Sequence, residues 1–251
     1  GYFSWSHGRY EEAGERFEQY LRITREMGDR RSEAAATGNL GLYWLALGAL
    51  ERARESLETA LDLDRELGVR SGEVYWLVAS STLAEEEEGA GHALERATAA
   101  LALAREVGYL EGIALALTRI GELRLRSGEV DGAREALREA ADLQQNPDAK
   151  GGLALALALL ARLPGGDAAA AEAVLAEAPW IADTPEVRCH LWKATRKREH
   201  LAEAKRLLDD RVEHAPEAYR ESMLKNVRLN REIMEAWAEH GEQPVGEGEA
   251  S

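Results

Sequence analysis

At 251 residues the chain is long enough to bury a large core as one domain or two, and 45% apolar with 31% charged residues is the composition of a soluble globular protein. A formal net charge of −15 offers no general basic face for a phosphate backbone, which excludes nucleic-acid binding as the main task. The single cysteine, Cys189, excludes an intrachain disulfide, and no apolar run approaches the roughly 20 residues that a membrane helix needs.

Ala, Leu, Glu and Arg dominate and β-branched residues are sparse, so helix is predicted nearly throughout. In chain order, the first marker is Arg25-Glu26-Met27-Gly28, which recurs as Arg65-Glu66-Leu67-Gly68 and as Arg105-Glu106-Val107-Gly108, a constant offset of 40 residues. A fixed period of roughly 20–50 residues predicts a solenoid of stacked units. The second unit is the clearest, with Leu40-Gly41 and Trp44 on a helix A, a turn at Gly48, and Ala53, Leu57, Ala60 and Leu61 on a helix B. Subtracting 40 places a turn at Gly8 followed by Ala13 and Phe17; adding 40 gives Ala93, Ala97, Ala100 and Leu101. Adding 80 gives Ile120-Gly121, Gly128, Ala133, Leu137 and Ala140. Gly1 stands 40 residues before Gly41, so the register predicts a chain that opens inside a helix A, with more chain preceding it in the intact protein.

The residue types have physical reasons. A mid-helix glycine costs about 1 kcal/mol relative to alanine, tolerable at Gly41 and Gly121 if a neighbouring helix approaches closely there. Gly28, Gly68 and Gly108 stand where helix B ends and suit a left-handed cap, followed by the apolar Val69 and Tyr109. Asp29 and Ser71 are candidate N-caps of the next helix A. Pro147 closes the fourth unit. Beyond it the register degrades: residues 152–163, the turn Pro164-Gly165-Gly166-Asp167 and residues 168–178 form a shorter fifth pair. Thr184-Pro185 opens a sixth pair, which carries Leu191, Trp192, Ala204 and Leu208. Pro216 opens a final segment ending near His240, whose apolar residues (Met223, Leu224, Val227, Ile233, Met234, Trp237) are expected to seal the last repeat.

The spacing of Leu40-Gly41, Trp44, Ala53 and Leu57 resembles the tetratricopeptide pattern W-x2-L-G-x2-Y…A-x3-F, with Trp44 where the pattern has its Tyr. The Gly-Asp-Arg and Gly-Val-Arg junctions, and the ending Arg220-Glu221-Ser222-Met223-Leu224-Lys225-Asn226-Val227, resemble the arrays of bacterial multidomain signalling proteins. Those arrays often have Phe where Met223 stands and Pro where Arg228 stands. The resemblance implies an all-α, right-handed α-α superhelix of about six helix pairs with a C-terminal capping pair. It places a solenoid domain over residues 1–240, with regular units over 1–147, degenerate ones over 148–215, a cap over 216–240 and a disordered tail over 241–251. It also implies a cytoplasmic module at the C-terminal end of a kinase, cyclase or ATPase-type regulator.

Chemistry is sparse. There is no Walker-type loop, no H-E-x-x-H and no paired-cysteine motif, so no catalytic, cofactor or metal site is predicted. Cys189 and His190, adjacent on a helix, point about 100° apart and do not face each other; a buried structural cysteine beside an ordinary histidine is the expectation. The six histidines show no i, i+4 spacing with one another. The basic stretch Arg188, Lys193, Arg196, Lys197, Arg198, Lys205 and Arg206 is expected to be a solvated face, with a docking patch for an acidic partner as the alternative.

Binding of a protein or peptide on the concave face of stacked A helices remains. By register Tyr75, Val78, Thr82, Glu85, Thr118 and Glu122 face it. Glu85-Glu86-Glu87-Glu88 reads as a solvated helix end or as an acidic mouth for basic, amphipathic ligands. Arg124 and Arg126 are the only basic residues expected near that face in the third and fourth units, which disfavours capture of a C-terminal carboxylate.

Overall fold

The 40-residue register becomes fourteen α-helices in the computed structural model, which describes residues 10–144 and 149–241. The predicted turn at Gly8, the break at Pro147 and the tail beyond residue 241 lie outside the described residues. The regular part comprises α1 (Tyr10–Met27), α2 (Arg30–Ala46), α3 (Leu50–Leu67), α4 (Arg70–Glu87), α5 (Ala90–Val107), α6 (Leu110–Ser127) and α7 (Val130–Leu143). The degenerate part holds α8 (Lys150–Ala161), α9 (Ala169–Glu177), the one-turn α10 (Pro179–Ala182), α11 (Pro185–Thr195) and α12 (Arg198–Glu213). The chain ends with α13 (Glu217–Asn226) and α14 (Arg228–His240). Helices pack mainly on their sequence neighbours, and no strand occurs among the described residues. The arrangement is an all-helical array consistent with a repeat solenoid.

The repeated Arg-Glu-x-Gly is a helix stop with two ion pairs built in. Gly68 adopts φ +68°, its N–H reaches Arg65 O, and the N–H of Val69 reaches Asp64 O at 2.8 Å, the paired bonds of a Schellman ending. The same bonds recur at Gly28 and Gly108, and again at the helix A turns Gly48 and Gly128. Arg25 pairs with Glu33, and 40 residues later Arg65 pairs with Glu73. Glu66 takes Arg30 at 2.8 Å and Glu106 takes Arg70 at 2.9 Å, tying the end of helix B to the start of its own helix A. Arg105 has Ile113 where Glu would stand and turns to Glu139 instead. Such exposed pairs contribute roughly 0–1 kcal/mol each, so they set register more than stability. Asp29 caps α2 through the N–H of Ser32. Ser71 does not cap: α4 already begins at Arg70, because the apolar Val69 belongs to the preceding stop.

The mid-helix glycines are contact points within a unit. A Cβ on Gly41 would stand 2.8 Å from Leu57 Cγ, and one on Gly121 would stand 2.4 Å from Leu137 Cγ. Both leucines are fully buried. Between units, the Trp76 ring lies under Gly38, and its Nε1–H donates to Asp64 Oδ2 at 2.8 Å. Asp64 is 3% exposed, and burial pushes its carboxyl above the ordinary value. Trp76→Phe keeps the ring but leaves that carboxylate without its donor, so an unfolding loss of about 1–3 kcal/mol is expected in a denaturant titration. A midpoint equal to wild type would remove this role.

The C-terminal pair departs from the expected cap. α14 does seal the last pair, with Ile233 against Cys189, Ala204 and Leu208, and Ala236 and Trp237 against Trp192 and Leu201. Met223 of α13, however, clusters with Tyr10, Phe17, Tyr43 and Leu47 at the other end of the array. The Tyr219 ring lies 5.4 Å from that of Trp44, with the Arg52 guanidinium over both. Ser222 Oγ donates to Leu47 O and Asn226 Nδ2 to Gly48 O. The last segment therefore straps the end of the array to its first helices.

Candidate binding cavity

The inner faces of α2, α4, α6 and α8, together with the start of α11 and the α13–α14 junction, enclose a cavity of about 430 Å³. Its walls are apolar, with Leu42 and Leu45 from α2, Val78 from α4, Leu115 from α6 and Leu155 from α8. Its floor is ionic, with Glu85 and Glu86 at the end of α4, Arg119 and Glu122 of α6 and Glu186 of α11. Five of the six residues predicted to face a groove (Val78, Thr82, Glu85, Thr118 and Glu122) line this one space. Tyr75 does not; it sits edge-on against the Trp76 ring, 5.1 Å away.

Glu85 and Glu86 are not a solvated helix end, since their side chains are 4% and 8% exposed. Arg119 holds Glu85 in the interior: its guanidinium donates to Glu85 Oε2 at 2.6 Å, to Glu122 Oε2 at 2.8 Å and to the Ser81 hydroxyl at 3.2 Å. Arg126 pairs with the other Glu85 oxygen. From the far side of the cavity comes Arg228, first residue of α14. Its Nη2 donates to Glu122 Oε1 at 2.6 Å, and its backbone N–H donates to Glu86 Oε1 at 2.6 Å. Arg231 completes Glu86 at 2.9 Å. Burial works against ionising Glu122, yet Arg119 and Arg228 together hold its carboxyl down to about 2. Glu186 is pushed the other way, to about 7, by burial and by the charge of Glu122.

One turn beyond Glu186, His190 is 1% exposed and burial pushes it down to about 3, so it is neutral. Arg162 Nη1 lies 3.1 Å from its Nδ1, and a guanidinium can only donate, so the imidazole proton sits on Nε2. That Nε2 has no hydrogen-bond partner among the described residues. A ring nitrogen of His190 and one oxygen each of Glu122 and Glu186 fall within 4.8 Å of one another, a spacing that would suit a cation. The donor chemistry does not: both Glu122 oxygens already accept guanidinium N–H groups, and Arg162 fronts the imidazole. The cluster is an ion-pair network.

Sequence reasoning missed Arg119, Glu186, Arg228 and Arg231. Arg119 was legible, since Asn39 and Ala79 occupy the same register position and an arginine there breaks the pattern. It also corrects the expectation that Arg124 and Arg126 are the only bases near the inner face. Glu186–His190 carries i, i+4 spacing that a search among histidines alone passes over. Arg228 reaches the floor across more than 100 residues, and no local pattern announces that. The basic stretch is largely neutralised within the chain: Arg188 by Asp183, Lys193 by Glu232, Lys197 by Glu172, Lys205 by Asp209 and Arg206 by Glu203. Cys189 is fully buried, and burial raises its thiol.

Neither a protein-family description nor any curated protein matches the chain. No helix among the described residues is long and apolar enough to cross a membrane. Fold and cavity together define a helical repeat array whose inner face is walled by leucine and valine and floored by paired charges.

Proposed function

We propose that the chain is a tetratricopeptide-type recognition module of a larger bacterial signalling protein, cytoplasmic and C-terminal to a kinase or ATPase effector. In this reading the units wind as a right-handed superhelix and their inner face takes a protein or peptide segment. The observation that carries the reading is the cavity itself, whose apolar walls come from four successive inner helices and whose floor supplies fixed carboxylates. Apolar rows give contact area and the carboxylates select basic or amphipathic segments. Nothing in the reading requires catalysis by this chain.

Selection of displayed random peptides on the intact chain tests it. Enriched peptides are expected to bind saturably, and to lose at least tenfold in affinity with Val78→Asp or Leu115→Asp. Failure to enrich, or binding indifferent to both substitutions, would overturn it. A second reading, self-association, rests on Met27, Leu67 and Val107, which stay exposed at one repeated position. Sedimentation showing a dimer that dissociates on Met27→Lys with Leu67→Lys would favour it.

A further inference from the structure

The inner face already holds a segment of its own chain. Val227 and Leu229 line the cavity with Leu42, Val78 and Leu115, and Arg228 between them enters the carboxylate floor. Val227 is extended (φ −96°, ψ 112°), so the Arg228 N–H is free of helix bonding and donates to Glu86. The segment thus makes one main-chain bond, ion pairs from the Arg228 guanidinium to Glu122 and Glu85 across the cavity as well as to Glu232 of its own helix, and two flanking apolar contacts. It crosses the inner side from Gly48, where Asn226 is tied, to Glu122 of α6. Beside this crossing a space of about 430 Å³ stays open.

We infer that Val227-Arg228-Leu229 is a resident ligand of the inner face, and that the partner is a peptide segment with an arginine flanked by apolar residues, which binds by displacing it. The inference rests on the recognition reading and narrows it. Three further features fit. The crossing is a helix junction, so it can lift while Ile233 and Ala236 keep α14 in the last pair. Of the carboxylates that hold Arg228, Glu85 and Glu122 are fixed from beneath by Arg119 and Arg126, so that part of the floor persists without it, whereas Glu86 is held by Arg231 of α14. The planar Arg228 guanidinium is shared by Glu122 of α6 at 2.6 Å and Glu85 of α4 at 3.4 Å, which a lysine would not reproduce.

Two experiments on the full chain test this, both with a fluorescein-labelled peptide copying residues 224–230 and a control peptide carrying glutamine in place of its arginine. In the first, Arg228→Ala removes the resident side chain. The variant is expected to bind the arginine peptide at least tenfold more tightly than wild type does, with the glutamine peptide at least tenfold weaker and Glu122→Gln in the same background reversing the gain. The second uses wild type alone and does not depend on the variant folding: saturating arginine peptide is expected to speed amide exchange of Arg228, by releasing its N–H from Glu86. Equal binding of the two peptides, no gain in the variant, or unchanged exchange at Arg228 under saturation would overturn the inference. Random-peptide selection separates this failure from failure of the recognition reading: enriched binders without arginine leave recognition standing and remove the resident-ligand assignment.

Discussion

Arg119→Met is expected to destabilise the chain by about 3–5 kcal/mol, because it leaves Glu85 and Glu122 in the interior without their principal counter-charge. The methionine fills most of the volume, so loss of charge rather than of packing dominates. The loss depends on pH in a defined sense. Glu122 sits at about 2 in the fold against an ordinary 4.5, so between these values the unfolded chain binds more protons. Its contribution is therefore fully present above about pH 4.5 and disappears as pH falls toward 2. Glu186, raised to about 7, works oppositely: the folded chain binds the extra proton, and stability declines as pH rises from 4.5 through 7. His190, held down to about 3 against an ordinary 6.5, adds stability as pH rises between those values and offsets the Glu186 decline. The three groups together place maximal stability between about pH 4.5 and 7. Urea titrations over pH 3–8 check this. Arg119→Met should shrink the acid limb of the profile, Arg228 still pairing with Glu122. Glu186→Gln should remove the loss between pH 4.5 and 7 and so steepen the rise that His190 brings. An Arg119→Met chain as stable as wild type at pH 7 would show that the network carries no net stability.

The second large effect lies at the contact of Leu137 with Gly121. Leu137→Ala is expected to cost about 2–5 kcal/mol, toward the upper end, since a glycine opposite offers no side chain to relax into the space. The partner substitution makes the prediction sharper. Gly121→Ala alone places a Cβ at 2.4 Å from Leu137 Cγ and should destabilise by about 1–3 kcal/mol. In the Leu137→Ala background the same methyl enters vacated space and adds helix propensity of about 1 kcal/mol, so it should stabilise. A double-mutant cycle in denaturant reads this reversal of sign directly. Additive losses would mean that the two residues do not oppose each other as described.

The parts of the fold that repeat were legible because each repeat is local. Gly68 with Val69, Gly41 with Leu57 and Ala53 with Ala60 each obey constraints set within a single unit, and a constraint that recurs every 40 residues announces itself. Part of the cavity was legible for the same reason: register alone carried Val78, Thr82, Glu85, Thr118 and Glu122 to one face. Another part, Glu186 with Val227, Arg228 and Leu229, comes from α11 and the α13–α14 junction, where the period has lapsed. Glu186 of α11 and Arg228 of α14 meet Glu122 of α6 only after the intervening helices have been stacked, and a one-dimensional pattern holds no record of that closure. Tyr75 lies outside this cavity for a different reason. Its neighbour Trp76 is held toward Gly38 and Asp64, and that fixes the helix rotation so that Tyr75 falls beside the cavity and not within it.

The tie between Met223, Ser222 and Asn226 and the first helices also governs how the molecule comes apart. In an open stack each unit touches only its neighbours, so the ends fray and unfolding can creep inward one repeat at a time. Here α1 and α2 share their core with α13, and a hydrogen bond joins residues 178 positions apart, Asn226 and Gly48. Among the described residues this fastening ties α1 and α2 to α13, so melting does not start cheaply at either of them. Loss of any interior unit strains the fastening, and loss of the fastening exposes both termini of the stack at once. The chain should therefore behave as one cooperative body, with slow folding set by the late meeting of its two ends.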